Sequence, residues 1–289
     1  VEPNTNDTLL SLERLKVELR LWKLLKKEVE IEEISIRNAT FDTRDFIDGV
    51  VVTGHLGELY LESHGVVFSP ETARINEFSV KNTDVSLTLE NMEDTDTTTT
   101  EPIYWKILLD EIDFENVGFA LNMPQDSLFV RTMLPKTTLK DGVIDLKEAS
   151  YYVKSFDMDN AELAYGPKEE LSLKKIGLQL DSIYYCGKDI RANIEEFVLK
   201  ERSGLELVST EGRIVSDSVL IEIPKFTMKT TASSLDLQTK IGWDVLEMKK
   251  TGVLSAKINA EIGKGDVAKI LGGRDTLFLQ TYPNKPFVF

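Results

Sequence analysis

The sequence predicts a mostly β protein whose main element is a curved, largely antiparallel β-sheet, accompanied by one or two short helices. Two observations support this fold class. Polar and apolar residues alternate through most of the chain, and this is the period of a strand with one wet face. In addition, one pattern of apolar residues around an asparagine returns along the chain at uneven intervals.

The recurring pattern, here called the frame, reads apolar-x-x-apolar-x-apolar-x-Asn-x-x-apolar. Its clearest copies are 31–41, 75–85, 109–119 and 153–163. Looser copies begin at Leu173, Ile194 and Ile223, where Leu180, Glu201 and Thr230 replace the asparagine. The uneven spacing argues against a solenoid of fixed period and favours a meander with loops of variable length.

The frame predicts strands that bend sharply. Side chains alternate between the two faces of a strand, so the fourth and sixth positions share a face. The first and last positions are also apolar but have the opposite parity. A β-bulge on either side of the central pair returns them to the same face and bends the strand, and Asn suits such a site because it tolerates left-handed backbone angles. The alternative is ordinary strands with both faces partly covered.

Composition restricts the partners that the chain can bind. Its 289 residues are compatible with one continuous β unit over 1–289, and its net charge of −15 opposes broad binding to nucleic acid or to an anionic membrane surface. No apolar run approaches the roughly 18 residues that a membrane span needs. Because the chain has neither a signal peptide nor an initiator methionine, we expect it to be a segment of a longer protein.

Near the start of the chain, alternation from Leu15 predicts a strand, and 22–28 predicts one or two helical turns. A longer amphipathic helix over 9–27 is the alternative, since Leu and Lys are good helix formers. The acidic, threonine-rich segment 91–101 predicts a mobile surface loop, because it has too few apolar residues to contribute to a core.

Further strands are predicted where alternation resumes after turn residues, with 42–57 as a turn-rich connector. These strands are 59–63, 66–69, 104–123, 128–134, 139–146, 171–183, 190–200, 205–214, 219–229, 235–241 and 254–262. Pro135 separates two of them, and Gly166 with Pro167 marks a candidate boundary near 166. Residues 266–271 predict a short helix with Asp266 as its N-cap and Gly272 at its end.

No set of residues with catalytic, metal-binding or cofactor-binding spacing emerges. His55 and His64 are the only histidines, and neither has a Cys or His at metal-ligand spacing. Cys186 lies at a strand end, where a small buried residue is the simplest interpretation. There is no G-x-S-x-G elbow, so a Ser-His-Asp set has little support. The sequence therefore predicts a protein that is not an enzyme and holds no cofactor.

The alternation leaves one long apolar face on the sheet. A second sheet can cover this face, or the sheet can curl around it as a trough. Burying apolar area stabilises a protein by roughly 25 cal/mol per Å², so the face is not left to water without a reason. Periodicity alone does not decide between a dry sandwich and a groove that holds a ligand.

Segment 7–38 resembles the N-proximal module of the AsmA-like proteins, in which a strand, a short Leu-Leu-Lys helix and a strand of the frame type follow one another. Further stretches resemble TamB proteins, the translocation and assembly module proteins, of the Bacteroidetes type. These stretches are 57–65, 105–107, 199–207 and 220–226. They are spread over nearly the whole chain, and their order strengthens a match in which each stretch is only moderately specific.

The resemblance implies a periplasmic segment of a Gram-negative cell-envelope protein, anchored to the inner membrane by a segment outside this sequence. Members of the family form an elongated β-groove, also called a β-taco, whose apolar inside is thought to conduct phospholipid between the inner and outer membranes. The implied partners are phospholipid acyl chains and, through the parent chain, an Omp85-type outer-membrane protein. The implied process is outer-membrane biogenesis.

With the groove that the resemblance implies, the central apolar pairs of the frames and the equivalent positions of other strands are expected to line it. These residues are Val17, Leu19, Ile34, Ile36, Phe78, Val80, Ile112, Phe114, Phe156, Met158, Ile176, Leu178, Phe197, Leu199, Phe226, Met228, Leu235, Leu237 and Ile258. The alternative function is a scaffold for assembly of outer-membrane β-barrel proteins, which binds its clients by strand pairing.

Overall fold

The computed structural model describes residues 9–24, 30–43, 49–68, 71–90, 104–248, 252–272 and 276–289. In these residues, fourteen strands form one mostly antiparallel sheet that is not closed into a barrel. The strands lie side by side in chain order, and the sheet is curved. The predicted fold class is therefore confirmed.

The strands and helices have the following bounds. In the first part of the chain they are β1 (Leu10–Leu19), α1 (Leu21–Leu24), β2 (Ile31–Asp42), β3 (Val50–Phe68), β4 (Glu71–Leu89), β5 (Lys106–Met123), β6 (Leu128–Asp145) and β7 (Ser150–Tyr165). The remaining elements are β8 (Leu171–Cys186), β9 (Asp189–Glu201), β10 (Glu206–Ser216), β11 (Leu220–Thr230), β12 (Ser234–Gly242), α2 (Trp243–Leu246), β13 (Leu254–Ile262), α3 (Lys264–Leu271), α4 (Thr276–Thr281) and β14 (Phe287–Val288).

The chain divides into two compact units. Unit 1 comprises Val1–Ala149 and Asp159–Ser172, and unit 2 comprises Ser150–Met158 and Leu173–Phe289. The limits fall within β7 and near the start of β8, so the candidate boundary at Gly166 lies inside unit 1. The predicted loop 91–101 lies outside the described residues.

The asparagines of all four clear frame copies adopt the left-handed backbone conformation that the frame predicts. Their φ angles are 47° at Asn38, 50° at Asn82, 54° at Asn116 and 55° at Asn160. The looser copies differ, because the copy that begins at Leu173 has its left-handed residues at Lys175 and Ser182, away from the frame position of the asparagine.

Three of these asparagines lie on one line across unit 1. The strand registers on either side of the line align Asn38 with Gly57, Gly57 with Asn82, Asn82 with Asn116 and Asn116 with Pro135. On β1 the line ends at Glu13, which accepts a hydrogen bond from Asn38 Nδ2. We call this line the crease, and its members are Glu13, Asn38, Gly57, Asn82, Asn116 and Pro135.

A left-handed residue changes which residues of a strand share a face. In a regular strand, side chains three residues apart lie on opposite faces. In β6, Leu139 and Gly142 are three residues apart with the left-handed Asp141 between them, and a Cβ placed on Gly142 would lie 3.3 Å from Leu139 Cδ2. The apolar residues on both sides of a left-handed residue therefore face the same way.

The second irregularity that the frame predicts, between its first and fourth positions, is also present. The register of β1 against β2 shifts between Glu18 and Leu19, opposite the first residues of the frame copy on β2. The register of β3 against β4 shifts between Glu62 and Ser63, opposite the first residues of the next copy. In these two copies, both sides of the central apolar pair depart from regular strand geometry.

Strands β4 and β5 pair in parallel, an arrangement that alternation did not predict. Ile75 lies beside Leu109, Phe78 beside Ile112 and Val80 beside Phe114, so two frame copies lie directly alongside each other. Their offset equals the separation of the two frame starts, 109 − 75 = 34. Parallel neighbours need a crossover connection, and residues 91–103, which belong to it, lie outside the described residues.

Two predictions of interrupted strands are wrong. Residues 50–68 form one strand, β3, where a connector and two short strands were expected, and 128–145 form one strand, β6, across Pro135. Each of these strands contains one crease residue that usually breaks a strand, Gly57 in β3 and Pro135 in β6. Pro135 needs no partner for an N–H group because it has none, and Gly57 leaves room for β4: a Cβ there would lie 2.6 Å from the carbonyl oxygen of Asn82.

The predicted cap of helix α3 is also wrong at one end. The helix begins at Lys264 with Gly263 as N-cap, and Asp266 lies in its first turn. The Asp266 carboxylate instead accepts hydrogen bonds from the turn between β11 and β12, including one from Ser233 Oγ at 2.7 Å. Gly272 ends the helix in a left-handed conformation, as predicted.

Candidate apolar binding surface

Two rows of mostly apolar side chains cross unit 1 from β1 to β6. Residues directly opposite each other on neighbouring strands share a face, so each row lies on one side of the sheet. The first row is Leu15, Ile36, Leu59, Val80, Phe114 and Thr137. The second row is Val17, Ile34, Leu61, Phe78, Ile112 and Leu139. We call these two rows the apolar surface of unit 1.

Seven of the residues expected from the sequence lie in these rows. They are Val17, Ile34, Ile36, Phe78, Val80, Ile112 and Phe114. The residues expected from the sequence include neither Leu15 nor any member on β3 and β6, because the frame copies lie on other strands. The signal that could have found them is the alternation in Leu59-Tyr60-Leu61.

The apolar surface of unit 1 is only partly covered. Val80 is buried, but Phe78 and Phe114 are half-buried, and Val17 on the edge strand is 48% exposed. The rings of Phe78 and Phe114 meet edge to face with their centroids 6.2 Å apart. In the described residues of unit 1, no second sheet lies over these rows, and the helix found there, α1, is four residues long.

Thr137 places a hydroxyl group at the β6 end of the first row. Its side chain is buried, and its Oγ1 has no hydrogen-bond partner among the described residues. Thr210 of β10 has the same property in unit 2. An unpaired buried hydroxyl costs free energy. Thr137 is also the one polar residue in a row whose other members are apolar.

The opposite face of unit 1 is charged. A row of glutamates crosses from β1 to β5 and meets a lysine on β6; its members are Glu18, Glu33, Glu62, Glu77, Glu111 and Lys140. Lys140 pairs with Glu111 at 2.8 Å. Burial and a hydrogen bond to Glu62 raise the pKa of the neighbouring Tyr60 phenol. Because neighbouring residues of a strand point to opposite faces, this charged row lies on the other side of the sheet from the apolar surface.

Unit 2 has apolar rows of its own. One row crosses from β8 to β13 and consists of Leu180, Ile194, Gly212, Phe226, Leu237 and Ile258. A shorter row contains Thr210, Met228, Leu235 and Ala260. The ring of Phe226 fills the space over Gly212, where a Cβ would lie 2.8 Å from Phe226 Cδ2. These rows bring together five residues expected from the sequence.

The other expected residues occupy separate positions. Leu19 lies opposite Ile31, Leu178 opposite Phe197, and Leu199 opposite Leu207. Ile176 on β8 is buried, whereas Phe156 and Met158 on β7 are half-buried.

The histidines and the cysteine lie apart from the apolar surface of unit 1. His55 is exposed on the charged face of β3, opposite Asp84, and His64 Nδ1 is hydrogen-bonded to Asn76 Oδ1. Cys186 is half-buried at the end of β8. Among the described residues, no three metal-binding side chains gather, and no helix is long and apolar enough to cross a membrane.

Neither a protein-family model nor a curated protein matches this chain.

Proposed function

We propose that this chain is a periplasmic segment of an AsmA/TamB-like protein that conducts phospholipid along an apolar β-groove between the inner and outer membranes. In this proposal, a part of the parent chain outside the segment anchors it to the inner membrane, and an Omp85-type protein is the outer-membrane partner. The observation that carries the proposal is the partly covered apolar surface of unit 1.

The arrangement of this surface suits hydrocarbon. Solvating an acyl chain requires apolar area rather than placed polar groups, and rows that cross neighbouring strands supply such area. Leaving this area in water costs roughly 25 cal/mol per Å², and large exposed apolar patches mark binding sites. Acyl chains lying on the half-buried rings of Phe78 and Phe114 would remove that cost.

The test is the lipid content of the chain purified without detergent from a Gram-negative host, measured by mass spectrometry. Phe114→Glu places a charge in the first row, and we expect it to lose most of the bound phospholipid. Ala120→Glu is the matched control, because it adds the same charge to the same strand on the other face, opposite Arg131.

We expect the wild type and Ala120→Glu to retain phospholipid, with circular dichroism showing the same strand content in all three proteins. A wild type free of lipid, or equal retention by Phe114→Glu, would contradict the proposal. In the full-length protein, Phe114→Glu and Phe197→Glu should also block lipid passage between the two membranes.

A second candidate function, holding unfolded outer-membrane strands by edge pairing, is favoured by strand β1. In the described residues β1 pairs only with β2, so its other edge presents free backbone N–H and C=O groups. Photoreactive residues at positions 114 and 14 of the full-length protein in cells separate the two functions. Lipid conduction predicts lipid adducts at position 114, and strand holding predicts polypeptide adducts at position 14.

A further inference from the structure

The residues along the free edge of β1 follow a fixed order in the strand direction, and the pairing of β1 with β2 shows what order a partner strand needs. Along β1, Leu12 on the apolar face comes first, the crease residue Glu13 second, and Arg14 on the charged face third. Along β2 the order is reversed. Antiparallel pairing matches the two orders, because Leu12 lies opposite Ala39 and Arg14 opposite Arg37.

This order of residues along β1 opposes pairing between two copies of the chain. Two β1 strands that pair antiparallel with Glu13 aligned would place Leu12, on the apolar face, opposite the outward Arg14. Strand β13, at the other end of the strand order apart from the short β14, pairs with β12 in an uninterrupted register from Leu254 to Glu261 and so has no crease. A one-residue mismatch turns every following side chain to the wrong face, so neither edge of a second copy fits β1 over its length.

Charge further defines the strand that fits. Arg14 is exposed, and no carboxylate of the described residues lies within ion-pair distance of it. Its neighbour across the sheet is another cation, Arg37, which itself pairs with Glu58 at 3.4 Å. Farther along the same line, Lys81 lies 3.6 Å from Glu115. An acidic residue on the free side of Arg14 would give this cation a partner of opposite charge, as Glu58 does for Arg37 and Glu115 for Lys81.

We infer that the free edge of β1 is a docking site for one extended segment of a partner polypeptide. The segment pairs antiparallel to β1 and carries the frame, with its asparagine opposite Glu13 and an acidic residue directly before that asparagine, opposite Arg14. Residues 109–119 of this chain have this pattern, with Glu115 before Asn116. The inference rests on the second candidate function, strand pairing, and is independent of lipid conduction.

The probe is a fluorescein-labelled peptide with the sequence of residues 109–119, titrated with the chain and followed by anisotropy. We expect the Asn116→Val peptide to bind about five- to thirty-fold more weakly, because a left-handed conformation is unfavourable for a β-branched residue. We expect the Glu115→Lys peptide to bind about two- to five-fold more weakly. The chain variant Arg14→Glu should bind the Glu115→Lys peptide more tightly than the unsubstituted peptide.

The register is tested by disulfide formation in the Cys186→Ser background. Arg14→Cys should cross-link to a peptide with Glu115→Cys and not to one with Asp113→Cys, whose cysteine would lie opposite residue 16. Sedimentation should show that the unliganded chain is a monomer.

Three results would overturn the inference: equal affinity of the Asn116→Val peptide, a charge preference unchanged by Arg14→Glu, or a homodimer joined through β1. Because Arg14 is exposed, its variants leave the buried residues untouched. If peptide binding follows the expected order but position 14 captures no polypeptide in cells, the docking site stands and the strand-holding function fails. Absence of lipid affects neither result.

Discussion

At the scale of single residues, Asn82 shows how one backbone angle decides which side chains of a strand share a face. Its φ of 50° is a conformation that Asn and Gly tolerate better than other residues. Its Oδ1 accepts a hydrogen bond from Asn116 Nδ2 at 3.3 Å, so neighbouring members of the crease also contact each other. Side chain and backbone both favour asparagine there.

The backbone angle predicts an unusual order of stability at this position. We expect Asn82→Ala to lower the free energy of unfolding by about 1–2 kcal/mol, and Asn82→Gly to lower it less, because glycine adopts positive φ without steric cost. The matched control is Asn122 on β5, whose side chain also makes hydrogen bonds, as a donor to Ser86 and Thr88, but which has no positive φ.

At Asn122 the order should be reversed, with glycine more destabilising than alanine, because glycine weakens a regular strand. Urea unfolding of the four variants measures both orders. The same order at both positions would show that the left-handed angle is not what selects asparagine.

At the scale of elements, helix α3 shows a link between a buried charge and a turn. Asp266 is 3% exposed, and its carboxylate accepts hydrogen bonds from Thr230, Thr231 and Ser233. Burial alone would raise the pKa of this carboxyl, but the hydrogen bonds and nearby Lys269 outweigh burial and hold the pKa below its ordinary value. The ionised form therefore stabilises the contact between α3 and the β11–β12 turn.

The lowered pKa predicts a pH dependence of definite sign. A carboxyl whose pKa is lower in the folded state contributes stability above its ordinary pKa of about 4 and loses it as the pH falls through the folded-state value. At pH 7, Asp266→Asn should lower the free energy of unfolding by about 1.5–3 kcal/mol. The difference from wild type should shrink as the pH falls below about 4.

Thermal or urea unfolding between pH 7 and pH 3 measures this difference. Asp236→Asn, on the exposed face of β12, is the control and should change little at either pH. A deficit in Asp266→Asn that stays constant down to pH 3 would mean that the contact does not depend on the charge.

At the scale of the whole molecule, the strands follow chain order in one sheet, so each strand is hydrogen-bonded to its sequence neighbours. Such an arrangement resembles a one-dimensional array, in which stability is a sum of local contributions and neighbour contacts. Each unit contains strands that pair within it, and a local change should therefore have local effects.

Gly57→Ala tests this locality. A Cβ at this position would lie 2.6 Å from the Asn82 carbonyl oxygen and 2.8 Å from that of Lys81, so we expect a cost of about 1–3 kcal/mol. Hydrogen exchange followed by mass spectrometry should show faster exchange in β2 to β5 and unchanged exchange in β10 to β12. Equal acceleration in both units would show that the chain unfolds as a single cooperative body.

The sequence predicted the strands best where the frame is complete, because apolar spacing and the conformational tolerance of asparagine are both local properties. It failed at Gly57 and Pro135, which are usually breakers but here lie on the crease. It also failed at Asp266, whose partners in the β11–β12 turn are more than thirty residues away. The apolar surface was predicted on the frame strands and missed on β3 and β6.

By itself, the sequence determined that this protein is a curved sheet with one apolar face, because the parity of apolar residues and the positions of the asparagines are written into each strand. Only the tertiary structure decided that Asn38, Asn82 and Asn116 align into one crease, that β4 and β5 lie parallel, and that one edge of β1 is free. The reason is that register and edge position depend on which strands become neighbours, and no single strand contains that information.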